Sequence, residues 1–163
     1  MGAKASAIDA SERNIGIASL HAKQGGLDIE YRVAAAETLA AEKNQFDVVM
    51  ALEIVEHVAD VDLFLASCAA LTKPGGLLFL ATLNRTAKSF TLAIVGAEYI
   101  MRWMPRGTHQ WKKFVKPSEL AQSLTGNDAE IIDITGVIYN PLKDDWRLSK
   151  DVAVNYMLCA KRT

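Results

Sequence analysis

Two short and nearly all-apolar runs, Phe46–Leu52 and Leu77–Thr82, flank a stretch of helical periodicity from Val61 to Leu71. Apolar side chains at almost every position, rather than at alternate ones, predict strands buried on both faces. A buried strand, a helix and a second buried strand in that order form the crossover unit of a parallel sheet. The chain is therefore expected to adopt an α/β fold of the doubly wound type. The remaining elements continue the alternation. Ala5–Ile8 is a strand ending at Asp9, and Ser11 to Gln24 is a helix that Ser11 caps and Gly25-Gly26 stops. Ile29 to Ala34 is a second strand. Lys73-Pro74-Gly75-Gly76 is a turn. Ser89 to Met104 is apolar and helical, and Lys116-Pro117-Ser118-Glu119 opens a further helix. Glu130 to Val137 and Val152 to Ala160 close the sheet. With no internal repeat or linker, residues 1–163 are expected to form a single domain.

Composition removes several classes of function. Of the 163 residues half are hydrophobic and 23% are charged, so the chain can fill a core. Eighteen basic against 19 acidic residues give a net charge of -1, and no basic excess draws it to nucleic acid. Cys68 and Cys159 have no metal-ligand or redox spacing, which predicts a reduced, cytoplasmic protein. The amino terminus reads as neither a signal nor a transit peptide. No uninterrupted apolar stretch is long enough to span a bilayer.

A nucleotide-binding fold of this type opens with a strand and a Gly-rich turn, and an acidic residue follows about 20 positions later. Asp9 stands where that acid belongs, but no strand or Gly-rich turn precedes it. An amino-terminally truncated, incomplete domain is one reading; an ordinary turn residue at Asp9 is the other.

The sharpest chemical constellation is Glu53, Glu56 and His57. If a helix begins at Glu53, the i, i+3, i+4 spacing puts all three side chains on one face. Two carboxylates and an imidazole there suit a divalent cation, with oxygen ligands favouring Mg²⁺ or Mn²⁺ and the imidazole admitting Zn²⁺. Solvated acids in a helical first turn are the alternative, since negative charge is favoured there anyway. His57 also suits a general base, and His109 is either a substrate contact or a surface histidine. Residues 89–105 combine Phe90, Leu92, Ile94, Ile100, Met101 and Trp103 with Lys88, Arg102 and Arg106 at the ends. Such a segment either docks at a lipid interface or packs on the domain as a lid.

Several stretches together resemble the O-methyltransferases of ubiquinone biosynthesis. They are Phe46-Asp47-Val48-Val49 running into Leu52-Glu53-Ile54-Val55-Glu56-His57-Val58, Lys73-Pro74-Gly75-Gly76, and Thr82-Leu83-Asn84-Arg85. Thr82-Leu83-Asn84-Arg85, and Val95-Gly96-Ala97-Glu98-Tyr99-Ile100 with Gly107-Thr108-His109 and Lys113-Phe114, are the more particular to that family, and Tyr139-Asn140-Pro141 and Asn155-Tyr156 add to it. The resemblance runs from Ala3 to Lys161 and implies a class I S-adenosylmethionine-dependent methyltransferase fold without its first strand and Gly-rich turn. It implies S-adenosyl-L-methionine and Mg²⁺ as cofactors and a polyprenylated catechol as substrate. Asp9 would bind the cofactor ribose, Leu52 would line the cofactor site, and Glu37 would lie near the adenine. Glu53, Glu56 and His57 would hold the metal, with His57 the candidate catalytic base. The expected partners are an anionic membrane surface at the inner face of the membrane and other ubiquinone-biosynthesis proteins. A same-fold methyltransferase of a soluble aromatic, and a non-catalytic fragment, are the rival readings.

Overall fold

The computed structural model describes residues 2–92, 94, 110–140 and 144–163. The chain divides into two compact units, Met1–Asn44 and Gln45–Thr163.

The first unit is one strand–helix–strand crossover. β1 (Ala5–Asp9) and β2 (Ile29–Val33) pair in parallel, Ala5 opposite Ile29 and Asp9 opposite Val33. Parallel strands cannot be joined by a hairpin, and α1 (Glu12–Gln24) makes the return. Its ends are set locally. The Ser11 hydroxyl accepts the Asn14 N–H at 3.3 Å, and the Gly25 N–H donates back to the His21 carbonyl at 3.0 Å. A short helix, α2 (Ala36–Ala41), follows β2 and buries Ala36 and Leu39.

The second unit is a five-stranded mixed sheet in the order β3-β4-β7-β5-β6. β3 (Phe46–Leu52) runs parallel to β4 (Thr72–Leu83), with α3 (Val61–Leu71) as the crossover. β7 (Asn155–Arg162) is antiparallel to both β4 and β5 (Ala129–Asn140). β6 (Asp145–Ser149) forms a hairpin with β5. The helical turn α4 (Ala87–Ser89) and the helix α5 (Pro117–Thr125) complete the unit. Pro117 occupies the first turn of α5, where its missing N–H costs nothing. One face of the sheet is closed: Leu78, Leu80, Leu158 and Ala160 are buried there, as are Leu65 and Cys68 of α3 and Leu120 and Leu124 of α5.

Three expectations are corrected. β3 has the expected bounds, but it is not buried on both faces: Val48, Met50 and Leu52 are 49%, 62% and 43% exposed. The reason is its place at the edge of the sheet, with β4 as its one partner among the described residues. The Lys73–Gly76 stretch is not a separate turn but the start of β4. Gly75 there takes φ +78°, and the register with β3 shifts between Phe46 and Val48. The hairpin strand β6 was not anticipated at all. Residues 93 and 95–105, most of the expected Ser89–Met104 helix, lie outside the described residues, as does His109.

Candidate active site

The candidate residues of the second unit gather at the carboxyl end of β3. The ladder between β3 and β4 runs one bond beyond the strand, with the Glu53 N–H donating to the Ala81 carbonyl at 2.8 Å. Glu53 then takes φ +53°, a left-handed conformation that a residue with a Cβ adopts only against a cost of order 1 kcal/mol or more. That turn throws the chain off the sheet. A single 3₁₀ turn, Val55–His57, follows, closed by the His57 N–H on the Ile54 carbonyl at 2.9 Å. Val55 and Glu56 point inward and are buried, while His57 is exposed.

The three candidate ligands are therefore not on one helical face. The chain becomes helical only at Val55, so Glu53 approaches from the strand end instead. Among the described residues no group of three or more His, Cys, Asp and Glu side chains is arranged to hold a metal ion. The two carboxylates do interact. Glu53 remains solvent-exposed as a residue, but partial desolvation of its carboxyl, and then the charge of Glu56, raise its pKa to about 7. Two carboxylates that repel one another are a fitting donor pair for a hard cation; His57 is not gathered with them.

Glu56 is fixed by a residue 26 positions away. The Thr82 hydroxyl donates to its Oε2 at 2.6 Å, and the two side chains are 0% and 4% exposed. Thr82 is the residue whose role sequence reasoning missed. The available signal was a polar side chain ending the apolar run Leu77–Ala81. Its neighbours hold the loop before β7. Asn84 donates from its backbone to Val154 O and from Nδ2 to Val152 O, both at 2.8 Å, and Thr86 Oγ1 donates to Ala153 O at 2.6 Å. Arg85 pairs with Glu119 of α5. Beside Glu56 opens a cavity of about 460 Å³, lined by Val58, Val61, Arg85, Lys112, Lys113 and Val115 among others.

Leu52, at the end of β3, is exposed. In the first unit Asp9 ends β1. Its Oδ1 accepts the Ser11 N–H at 2.7 Å and its Oδ2 accepts from Asn14 Nδ2 at 3.1 Å. These bonds lower its pKa, so the carboxylate is ionised at neutral pH. They also give Asp9 the work of a turn residue, joining β1 to α1. Each oxygen keeps lone-pair capacity for another donor. Glu37 lies not in a loop but in the first turn of α2, half-buried.

Comparison with known proteins agrees with this architecture. Residues 1–80 match the methyltransferase domain family. Over all 163 residues the chain is 55% identical to the ubiquinone biosynthesis O-methyltransferase of Rhizobium leguminosarum bv. trifolii, and it spans 65% of that protein's length. Over 162 residues it is 56% identical to the enzyme of the same name from Bartonella bacilliformis, again across 65% of its length. Among solved structures, magnesium protoporphyrin IX methyltransferase from Synechocystis PCC 6803 with bound SAH superposes with a TM-score of 0.67 at 18% identity, covering 99% of this chain and 65% of that one. A SAM-dependent methyltransferase from Methanosarcina mazei gives 0.67 at 18% identity, covering 96% and 81%. The fold is that of the class I S-adenosylmethionine-dependent methyltransferases, and along its whole length the chain is similar in sequence to the ubiquinone biosynthesis O-methyltransferases, of which it spans just under two thirds.

Proposed function

We propose that this chain takes part in moving a methyl group from S-adenosylmethionine to a hydroxyl of a polyprenylated catechol in ubiquinone biosynthesis. The observation that carries the reading is the 55% identity, over all 163 residues, to a relative named ubiquinone biosynthesis O-methyltransferase. The fold by itself supports methyl transfer and is silent on the acceptor.

The chemistry requires an acceptor oxygen to attack the methyl carbon as the carbon–sulfur bond breaks. The sulfonium becomes a neutral thioether, and the hydroxyl proton must go to a base. In this reading Asp9 binds the cofactor ribose through its ionised carboxylate, and Leu52 and Glu37 line the cofactor's surroundings. His57, exposed next to the buried Glu56, is the proposed base. Glu53 is suited to the same work, because a carboxyl with a pKa of about 7 can take up a proton at neutral pH without holding it too tightly. Mg²⁺ enters through the carboxylate pair alone: Glu53 and Glu56 are the residues that would hold it. A cation bound there would favour the phenolate form of a catechol.

The test is a chimera in which these 163 residues replace the matching segment of the Rhizobium relative, assayed with a short-tailed catechol. Methyl transfer is expected, together with at least a hundred-fold loss in Glu56→Ala. A well-folded chimera that transfers no methyl group overturns the reading. Full turnover in excess chelator removes Mg²⁺ from it.

An anionic membrane surface is the second proposed partner, with residues 89–105 as the docking segment. No helix among the described residues is long and apolar enough to cross a membrane. Phe90 and Leu92, at the start of that segment, are 45% and 51% exposed, which supports interfacial contact. Replacing Phe90, Leu92 and Trp103 by Ser is expected to release the chimera from anionic vesicles and to spare turnover of the short-tailed substrate. Unchanged vesicle binding makes the segment a lid instead.

A further inference from the structure

A strand at the edge of a sheet leaves a row of backbone donors and acceptors unpaired, and native proteins guard such an edge with charge, proline or a bulge. The two edges of the five-stranded sheet differ in this respect. β6 carries Asp145 and Arg147, which pair with one another at 3.0 Å. β3 carries no proline and no basic residue, and Asp47 is its only charge. Asp47 is already balanced by Lys73, whose Nζ lies 2.9 Å from its Oδ1. One face of β3 is apolar and open, with Val48, Met50 and Leu52 all exposed. Which backbone groups face outward follows from one bond. The Glu53 N–H donates to the Ala81 carbonyl of β4. Successive residues of a strand turn their peptide groups to opposite sides, so Asp47, Val49 and Ala51 also address β4. Phe46, Val48, Met50 and Leu52 turn theirs to the open edge, where among the described residues no strand meets them.

We propose that the open edge of β3 pairs antiparallel with β3 of a second copy of this chain, about a two-fold axis at Val49. In an antiparallel pair, opposed residues alternate between exchanging both backbone bonds and exchanging none. An axis at Val49, the middle of Phe46–Leu52, meets that alternation over the whole strand. Val49 opposes the partner's Val49 without bonds. Val48 exchanges both bonds with the partner's Met50, and Phe46 does so with the partner's Leu52. Asp47 faces the partner's small Ala51, so no like charges meet, and elsewhere apolar side chains oppose apolar ones. The contact is isologous and uses up both β3 edges, so association through it stops at two. Strand pairing alone is small beside a standard interface of about 1,600 Å², and the dimer is expected to be weak, with a Kd of about 10–100 μM. The pairing does not depend on the methyl-transfer reading.

Sedimentation velocity of the full 163-residue chain, from about 5 to 500 μM, should show monomer giving way to dimer and nothing larger. Met50 is 62% exposed, so Met50→Lys should fold as before. It sets an ammonium group on the pairing edge of each copy and should weaken association at least about ten-fold. Opposed residues of a non-bonded pair have Cα atoms about 4.5 Å apart, within reach of a disulfide. Val49→Cys should therefore cross-link to a reducible dimer under mild oxidant. The unchanged chain, with Cys68 and Cys159, and Leu148→Cys on the opposite edge strand should not cross-link. Melting curves report whether each variant folds, and Met50→Lys carries the test if Val49→Cys does not. A monomer at every concentration overturns the proposal. So does growth beyond the dimer, cross-linking through Leu148→Cys instead of Val49→Cys, or a Met50→Lys dimer as tight as that of the unchanged chain.

Discussion

Glu53 shows how one residue couples backbone geometry to charge. The left-handed turn at Glu53 ends β3 and delivers the carboxyl towards Glu56, where partial desolvation and the neighbouring charge raise its pKa to about 7. A raised carboxyl pKa means that the folded chain binds this proton more tightly than the unfolded chain. The stabilisation is therefore complete below the ordinary value of 4.5 and is lost as pH rises through about 7. Urea midpoints of the chain, measured in chelator so that no cation competes, should fall between pH 5 and pH 8. Glu53→Gln should flatten that decline, and an unchanged slope in the variant would refute the assignment. The sequence made Glu53, Glu56 and His57 legible as a chemical cluster, because their spacing is local. It could not show that Glu56 is buried and His57 exposed. That division depends on Thr82, a contact made only when β4 lies beside β3.

At the scale of elements, local pattern foretold the strands better than their surroundings. The bounds of β3, the helix Val61–Leu71 and the cap at Ser11 all follow from short-range chemistry. Burial of β3 does not, since apolar residues at every position say that both faces suit a core without saying which neighbours are present. β6 was illegible for another reason. Trp146 and Leu148 are 65% and 75% exposed, so no buried stripe marks the strand. Its pairing with β5 leans on cross-strand contacts such as Tyr139 against Trp146, with ring centroids 5.1 Å apart. The segment that follows β6 closes tightly on β5. A Cβ built on Gly136 of β5 would lie 1.9 Å from the Asp151 carbonyl oxygen. Asp151 is itself held by Lys88 at 2.5 Å, so the loop cannot simply withdraw. Gly136→Ala should destabilise the chain by about 2 kcal/mol or more, in the upper range for overpacking, whereas Gly16→Ala, in open space on α1, should not destabilise it. Equal melting temperatures for the two variants would contradict the crowding.

For the whole molecule the question is what each sheet can hold by itself. In doubly wound folds the cofactor sits outside the carboxyl ends of the strands, where the strand order reverses, and a Gly-rich turn lets backbone approach it closely. Among the described residues β1 has β2 as its one neighbour and β3 has β4, in separate sheets of two and five strands. Among the described residues no Gly-rich turn links a strand to the helix that follows it. Asp9 retains an ionised carboxylate for a ribose, yet its oxygens already serve Ser11 and Asn14. Two hydrogen bonds to a ribose add at most about 3–6 kcal/mol even when charge-assisted, too little to offset the cost of immobilising a flexible cofactor at an exposed site. The isolated chain is therefore expected to bind S-adenosylmethionine only weakly, with a dissociation constant above about 100 μM, near −5.5 kcal/mol. The chimera with the Rhizobium relative should bind at least about a hundred-fold more tightly, and Asp9→Ala in that chimera should remove most of the gain. Calorimetric titration of both proteins decides between the accounts. Saturable low-micromolar binding by the 163 residues alone would mean that this chain holds the cofactor without the groups of a Gly-rich turn.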